Sequence, residues 1–320
     1  MAEISTPALR RVIRRFSSKT LLFSEMLSAG SIASGAPHNE PLLAGNREDP
    51  PLIYQVVGNN PEVMARASSM LEERGCLGVD INMGCPVSEI IRRGQGSALL
   101  GDLSRAGEIV RACRKAVTGT LSVKMRIGLR EADEKFLKNF LSMLQSEGID
   151  FVTIHGRTAR QGYTRTSDWG LVGRMAAAIR VPVFGNGDIT SAREGRKRLE
   201  ESGCHGIMIG RGGVDRPWLY GEIEGKSFEV DREDVCVRVL EGIRDLLPEH
   251  LHRSRSHRFL ARYVMANALF GHELFTRLRK EEEIDSMISL VRDYYARHEE
   301  ERYIFCGRGE ETDEDTSIQP

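Results

Sequence analysis

No apolar run in the 320 residues is long enough to cross a bilayer, and no signal-peptide apolar region is visible near the N-terminus. The expectation is a protein of the cytoplasm without membrane attachment. The six cysteines (Cys76, Cys85, Cys113, Cys204, Cys236 and Cys306) are scattered, with neither a CxxC pair nor a histidine at metal-ligand spacing. That pattern argues against a disulfide framework and a Cys–His metal centre, so no metal is expected. Charge excess is missing too. The 45 Lys and Arg against 46 Asp and Glu leave a net charge of −1, and composition alone does not announce a nucleic-acid partner. Also absent is the Gly-rich turn after a first strand that a doubly wound nucleotide-binding sheet carries.

What is present is a long alternation of strand and helix patterns. Strands are expected at residues 21–26, 52–57, 78–83, 121–127, 150–155, 181–184 and 205–209. Between them lie amphipathic helical stretches. Val63, Ala67, Met70 and Leu71 make one apolar stripe, and Phe136, Leu137, Phe140, Leu141 and Leu144 make another. Such repeated units predict a parallel sheet covered by helices, and a (β/α)8 TIM-type barrel fits seven strands better than a doubly wound sheet. After residue 225 the strands stop. Three helical stripes follow, around Val235–Leu246, Phe259–Phe270 and Ile284–Tyr295, so the chain divides into a barrel over residues 1–228 and a small all-α domain over 229–305. Residues 306–320 are acidic, nearly free of apolar groups, and are expected to be disordered.

A barrel works at the C-terminal ends of its strands, and the polar residues there are the candidates. Gln55 sits late in an apolar strand. Lys124 and Arg126 lie on one face of theirs, needing an anionic ligand or a salt bridge with Asp80 or Glu25. His155 ends the next strand, as a site residue or a satisfied core histidine. Asn186-Gly187-Asp188 and Gly210-Arg211 open two successive Gly-rich turns that suit a phosphate. Cys85 lies on a loop too rich in Gly and Pro to be an element, either as a mobile thiol or as a small buried residue. Arg253, Arg255, Arg258 and Arg262, interleaved with His250, His252 and His257, make either a phosphate-binding face or a solvated one.

The string Asp80-Ile81-Asn82-Met83-Gly84-Cys85-Pro86, the later Gly96-Ser97-Ala98-Leu99-Leu100, Val123-Lys124-Met125-Arg126, His155-Gly156-Arg157-Thr158 and Gly185-Asn186-Gly187-Asp188 together resemble the tRNA-dihydrouridine synthases. The resemblance implies an FMN-bound barrel followed by a helical tRNA-binding domain; a monomer is expected. Carried over by position, Met1, Ala2, Gln55, Lys124, His155, Asn186, Gly187, Asp188, Gly210 and Arg211 would hold the flavin. Cys85 would be the proton donor, and Asn82 and Arg126 would line the substrate pocket. The implied reaction is reduction of a uracil 5,6 double bond in tRNA, with NADPH or NADH as reductant. Because Met1-Ala2 resembles the end of the family's first strand, roughly a dozen upstream residues, one strand and its lead-in, are expected to be missing. Two other readings remain: an FMN barrel acting on a free pyrimidine such as dihydroorotate, and a catalytically silent RNA-binding relative.

Overall fold

Seven short apolar stretches form parallel strands, each hydrogen-bonded to the next in chain order: β1 (Leu22–Ser28), β2 (Leu52–Val57), β3 (Gly78–Met83), β4 (Thr120–Arg126), β5 (Phe151–His155), β6 (Val183–Asn186) and β7 (Gly206–Met208). The structure is a computed structural model that describes residues 3–43 and 51–307. Each strand matches an expected one to within two residues at either end, and the sheet is an open, curled barrel. Among the described residues β1 pairs only with β2, and β7 only with β6.

Alternation sorts the two faces. Val79, Ile81 and Met83 of β3, Val123 and Met125 of β4, and Val152 and Ile154 of β5 are all fully buried on the side away from the polar residues of the same strands. Helices are started by side-chain caps: Asn60 accepts from Val63 N at 3.0 Å, Asp102 from Arg105 N at 2.9 Å, Asp133 from Phe136 N at 3.0 Å and Asp168 from Leu171 N at 2.8 Å. Each such cap is worth about 1 kcal/mol. Gly185 of β6 allows close packing, since a Cβ there would lie 2.1 Å from Cζ3 of Trp169.

The chain separates into two units. One comprises residues 21–189 and 193–210, and holds all seven parallel strands. The other comprises the described residues up to Thr20, residues 190–192 and those from Arg211 onward. This grouping does not follow the boundary near residue 228 expected from the change of pattern. In the second unit the Pro7–Phe16 helix packs on the Arg232–Leu246 helix, where a Cβ added at Gly242 would stand 2.8 Å from Cβ of Ala8. Trp218, fully buried, has the rings of Phe16 and Tyr263 each 6.4 Å away.

Two expectations are corrected here. The second unit is not all-α: β8 (Phe228–Asp231) and β9 (Tyr303–Cys306) form an antiparallel pair, with Phe228 opposite Cys306. Their pairing satisfies backbone groups that isolated extended segments would leave to water. Cys306 therefore belongs to a buried strand end and not to a disordered tail, while residues 308–320 lie outside the described residues. The helical part also has a Gly271–Leu278 helix beyond the three stripes.

Candidate active site

The strand register brings the polar candidates onto one face. Gln55 aligns with Asp80, Asp80 with Ser122, Asn82 with Lys124, Lys124 with Thr153, Arg126 with His155, and His155 with Asn186. Residues paired across parallel strands share a face, so these side chains form one inward-facing layer toward the strands' C-terminal ends. Gln55, Asn82, Lys124, Arg126, His155 and Asn186, all expected from sequence, are thus assembled by the sheet itself.

Within this layer most amide and carboxylate groups are already engaged. Asp80, fully buried, accepts from Ser122 Oγ at 2.7 Å and from Gln55 Nε2 at 2.8 Å. Gln55 Oε1 accepts from Asn82 Nδ2 at 2.8 Å. Asn82 Oδ1 accepts from the backbone N–H of Gly84 at 3.0 Å and of Cys85 at 2.9 Å. Asn186 Nδ2 donates to the Met208 carbonyl at 2.7 Å.

Cys85 is half-buried at the start of a loop that, against expectation, contains two short elements: a Ser88–Arg92 helix and a 3-10 turn over Gly96–Gly101. Glycines cluster at the turns between them instead of dissolving the whole loop. The Cys85 carbonyl accepts from Ser97 N at 3.1 Å. Gly96 makes that closure possible. Its φ is 59°, and a Cβ there would come within 3.0 Å of the Cys85 carbonyl oxygen.

The two cations of β4 differ in their partners. Arg126 is buried and donates to three carbonyls: Gly84 at 3.0 Å, Thr158 at 2.8 Å and Gly162 at 2.9 Å. It thereby ties the Cys85 loop to the loop after β5, with its guanidinium 5.5 Å from the centre of the Tyr163 ring. Lys124, half-buried, has no hydrogen bond or ion pair among the described residues. Burial and then the neighbouring Arg126 charge lower its pKa to about 7, with Asp80 opposing the drop. Burial raises Asp80 to about 6, against its hydrogen bonds from Ser122 and Gln55 and the Lys124 charge. The salt bridge foreseen with Asp80 or Glu25 is thus an electrostatic neighbour for Lys124, and for Arg126 a set of carbonyls.

An ion pair between a buried arginine and a half-buried carboxylate closes the far side. Arg157, 4% exposed, makes a bidentate contact to Asp188 at 2.6 and 2.8 Å, and its Nη1 stands 3.2 Å from His155 Nε2. Asp188 also accepts from Ser167 N at 2.8 Å. Asp188 lies at φ 55° and Gly187 at φ 128°, so this turn holds unusual backbone that the ion pair anchors. Sequence alone places Asp188 in the site but not its partner, although Arg157 stands two residues from His155 in a quoted motif. Tyr163 and Thr153 carry no motif that marks them. The Oγ1 of Thr153 is buried without a hydrogen-bond partner among the described residues.

The strand pairings among the described residues do not include the other candidates. Met1 and Ala2 lie outside the described residues. Gly210 and Arg211 follow β7 and lead into the short Gly212–Asp215 helix. The Arg-rich stretch belongs to the Glu249–Asn267 helix, and its cations are largely occupied. Arg255 is 7% exposed, Arg262 pairs with Asp215, Arg258 with Glu3, and Arg253 with Glu282 at 3.2 Å.

A parallel sheet in barrel order, with cations, amides and a loop-borne thiol at its strand ends, is the scaffold of the (β/α) barrel enzymes. The family model described as dihydrouridine synthase (Dus) matches residues 1–283, and the chain belongs to that family. It is 35% identical over 224 residues to the probable tRNA-dihydrouridine synthase 1 of Synechocystis sp., covering 70% of this chain and 62% of that one. To the probable tRNA-dihydrouridine synthase of Rickettsia prowazekii it is 33% identical over 251 residues, covering 78% and 76%. Among solved structures, a 2-naphthoyl-CoA reductase in complex with 2-naphthoyl-CoA is similar at a TM-score of 0.55 and 14% identity, over 71% of this chain and 47% of that one. That similarity concerns the fold.

Proposed function

We propose that this chain is an FMN-dependent tRNA-dihydrouridine synthase, reducing the 5,6 double bond of uridines in tRNA with NADPH or NADH. The observation that carries it is the meeting of Cys85, Lys124 and Arg126 at one end of the sheet, the thiol loop being fastened to Arg126 itself through the Gly84 carbonyl. The layer fits a polar planar group with an anionic edge. Lys124 offers an ammonium without an acceptor, and Thr153 a buried hydroxyl without a partner among the described residues. Gln55, Lys124, His155, Asn186, Gly187 and Asp188 are the residues that would hold the flavin in this unit. Bound there, FMN would supply the hydride chemistry.

The chain's own residues would do the rest. Lys124 and Arg126 offset the negative charge that reduction places on a uracil ring, in a layer screened from water. Cys85, at the loop's base, donates the proton that completes the product. Arg126 keeps the thiol loop and the loop after β5 in one arrangement around that point. A stacked uridine must first turn out of the RNA, at a cost of a few kcal/mol. Phosphate contacts can offset it. Arg130, Arg160 and Arg165, on the loops after β4 and β5, are exposed and have no side-chain partner among the described residues. These loops are joined by Ala159 N to the Gly128 carbonyl at 2.9 Å and Arg160 N to the Leu129 carbonyl at 2.8 Å. No helix among the described residues is long and apolar enough to cross a membrane. With tRNA as substrate, the proposed place of action is the cytoplasm. The free-pyrimidine reading gains less support, because the family match runs on through residue 283 and the relatives carry tRNA in their names.

The test is to incubate the protein with FMN, NADPH and tRNA lacking dihydrouridine, and to quantify dihydrouridine by nucleoside mass spectrometry. Product is expected from the wild type. Cys85→Ala should retain flavin but lose turnover by about 10²-fold or more. A well-folded protein that neither binds FMN nor forms dihydrouridine would end this reading.

A further inference from the structure

The backbone N–H groups of Gly84 and Cys85 can only donate, and both point at one atom, Asn82 Oδ1. That contact fixes which way the Asn82 amide faces, because an –NH2 cannot stand opposite two N–H donors. Asn82 Nδ2 must then donate, and the Gln55 side chain must meet it with Oε1. Gln55 Nε2 is left as a donor, and it reaches Asp80 Oδ2. The series ends there, on a carboxylate that has no donor of its own to offer when ionised and whose other oxygen is occupied by Ser122 Oγ. Every orientation in the layer is dictated in sequence from the thiol loop to β3.

We propose that Asp80 is a positioning residue: its carboxylate is the terminal acceptor of a one-way hydrogen-bond chain, through Gln55 and Asn82, that holds the backbone of Cys85 in place. All members of this chain are buried or half-buried, where an amide facing the wrong way would leave donors opposed to donors. Asp80 does not touch the reacting atoms; it acts through two amides. The importance of the chain to catalysis rests on Cys85 being the proton donor, but its existence does not.

Amide hydrogen exchange at Gly84 and Cys85, read by fragmentation mass spectrometry in the full-length protein without substrate, tests the proposal independently of turnover. Asp80→Asn keeps an acceptor oxygen for Gln55 while its –NH2 can donate to the Ser122 hydroxyl, so exchange should stay within about threefold of wild type. Asp80→Leu removes the acceptor and should speed exchange about tenfold or more. Asn82→Asp still receives the two N–H groups but cannot donate to Gln55. It forces the Gln55 amide to turn its oxygen toward Asp80, and exchange should again rise about tenfold. The double variant Asp80→Asn with Asn82→Asp can satisfy the whole chain in the reverse direction and should return exchange to within about threefold. A double variant no better than Asn82→Asp alone would overturn the proposal. So would equal exchange in Asp80→Asn and Asp80→Leu, or an unchanged rate in Asn82→Asp. If Asp80→Leu does not fold, the comparison of Asn82→Asp with the double variant decides.

Discussion

Lys124 sits in an environment that disfavours its charged form. Its folded pKa of about 7 lies below the ordinary 10.5, so the stability contributed by the neutral amine is complete above pH 10.5 and lost as pH falls toward 7. Lys124→Met does not titrate. Relative to wild type, the Met variant should therefore become progressively more stable as pH is lowered from about 10 to about 7, in urea melts at intermediate pH values. Parallel stability curves for the two proteins would show that the ammonium is solvated. The inward pairing of Lys124 with Arg126 was legible from period-two alternation alone. What partners Arg126 was not, because backbone carbonyls leave no mark in a sequence. The acceptors Gly84, Thr158 and Gly162 come from two loops that only folding brings together.

At the scale of elements, strands and caps were legible because their signals are local. Hydroxyl, Asn and Asp caps stand beside the runs they start, and each parallel strand is a short apolar stretch bounded by turn residues. The pair β8–β9 was invisible, since its two halves are separated by the whole helical series and each is only four residues long. Short helices in Gly-rich loops escape sequence patterns for a related reason: their stability comes from contacts and not from propensity. Gly185 of β6 gives a sharp case of contact deciding residue type. Gly185→Ala would set a methyl against Trp169, whose Nε1 donates to the Gly187 carbonyl at 3.1 Å. We expect a loss of about 1–3 kcal/mol in denaturant unfolding. A shift in Trp169 fluorescence should accompany it as the ring leaves the Gly187 turn. Unchanged stability would mean that the Trp169 pocket has slack.

For the molecule as a whole, the distribution of free and paired arginines revises where RNA should be sought. The Glu249–Asn267 helix looked basic in sequence, yet Arg255 is buried and Arg262 is committed to Asp215. Partners as distant in sequence as Asp215 and Glu3 cannot be assigned by reading along a helix. Arg130, Arg160 and Arg165 of the barrel unit, with no side-chain partner among the described residues, are the better candidates. Replacing all three with Ala should weaken tRNA binding and make the slope of log affinity against log salt shallower by about two to three. Flavin content should be unchanged. Equal affinity for variant and wild-type protein in a salt titration would remove these loops from the RNA-binding surface.

The Pro7–Phe16 helix packs with residues beyond Arg211, and its apolar face of Ala8, Leu9, Val12 and Ile13 is buried there. During synthesis that face leaves the ribosome before any of the seven parallel strands. Its partner, the Arg232–Leu246 helix, follows roughly 220 residues later, a delay of about ten to forty seconds at ordinary elongation rates. For that interval the helix is an unpartnered amphipathic segment, too short to be stable alone. The helical unit therefore cannot finish until the barrel's sequence has been made, and a nascent chain halted anywhere within the barrel displays this apolar face without its partner.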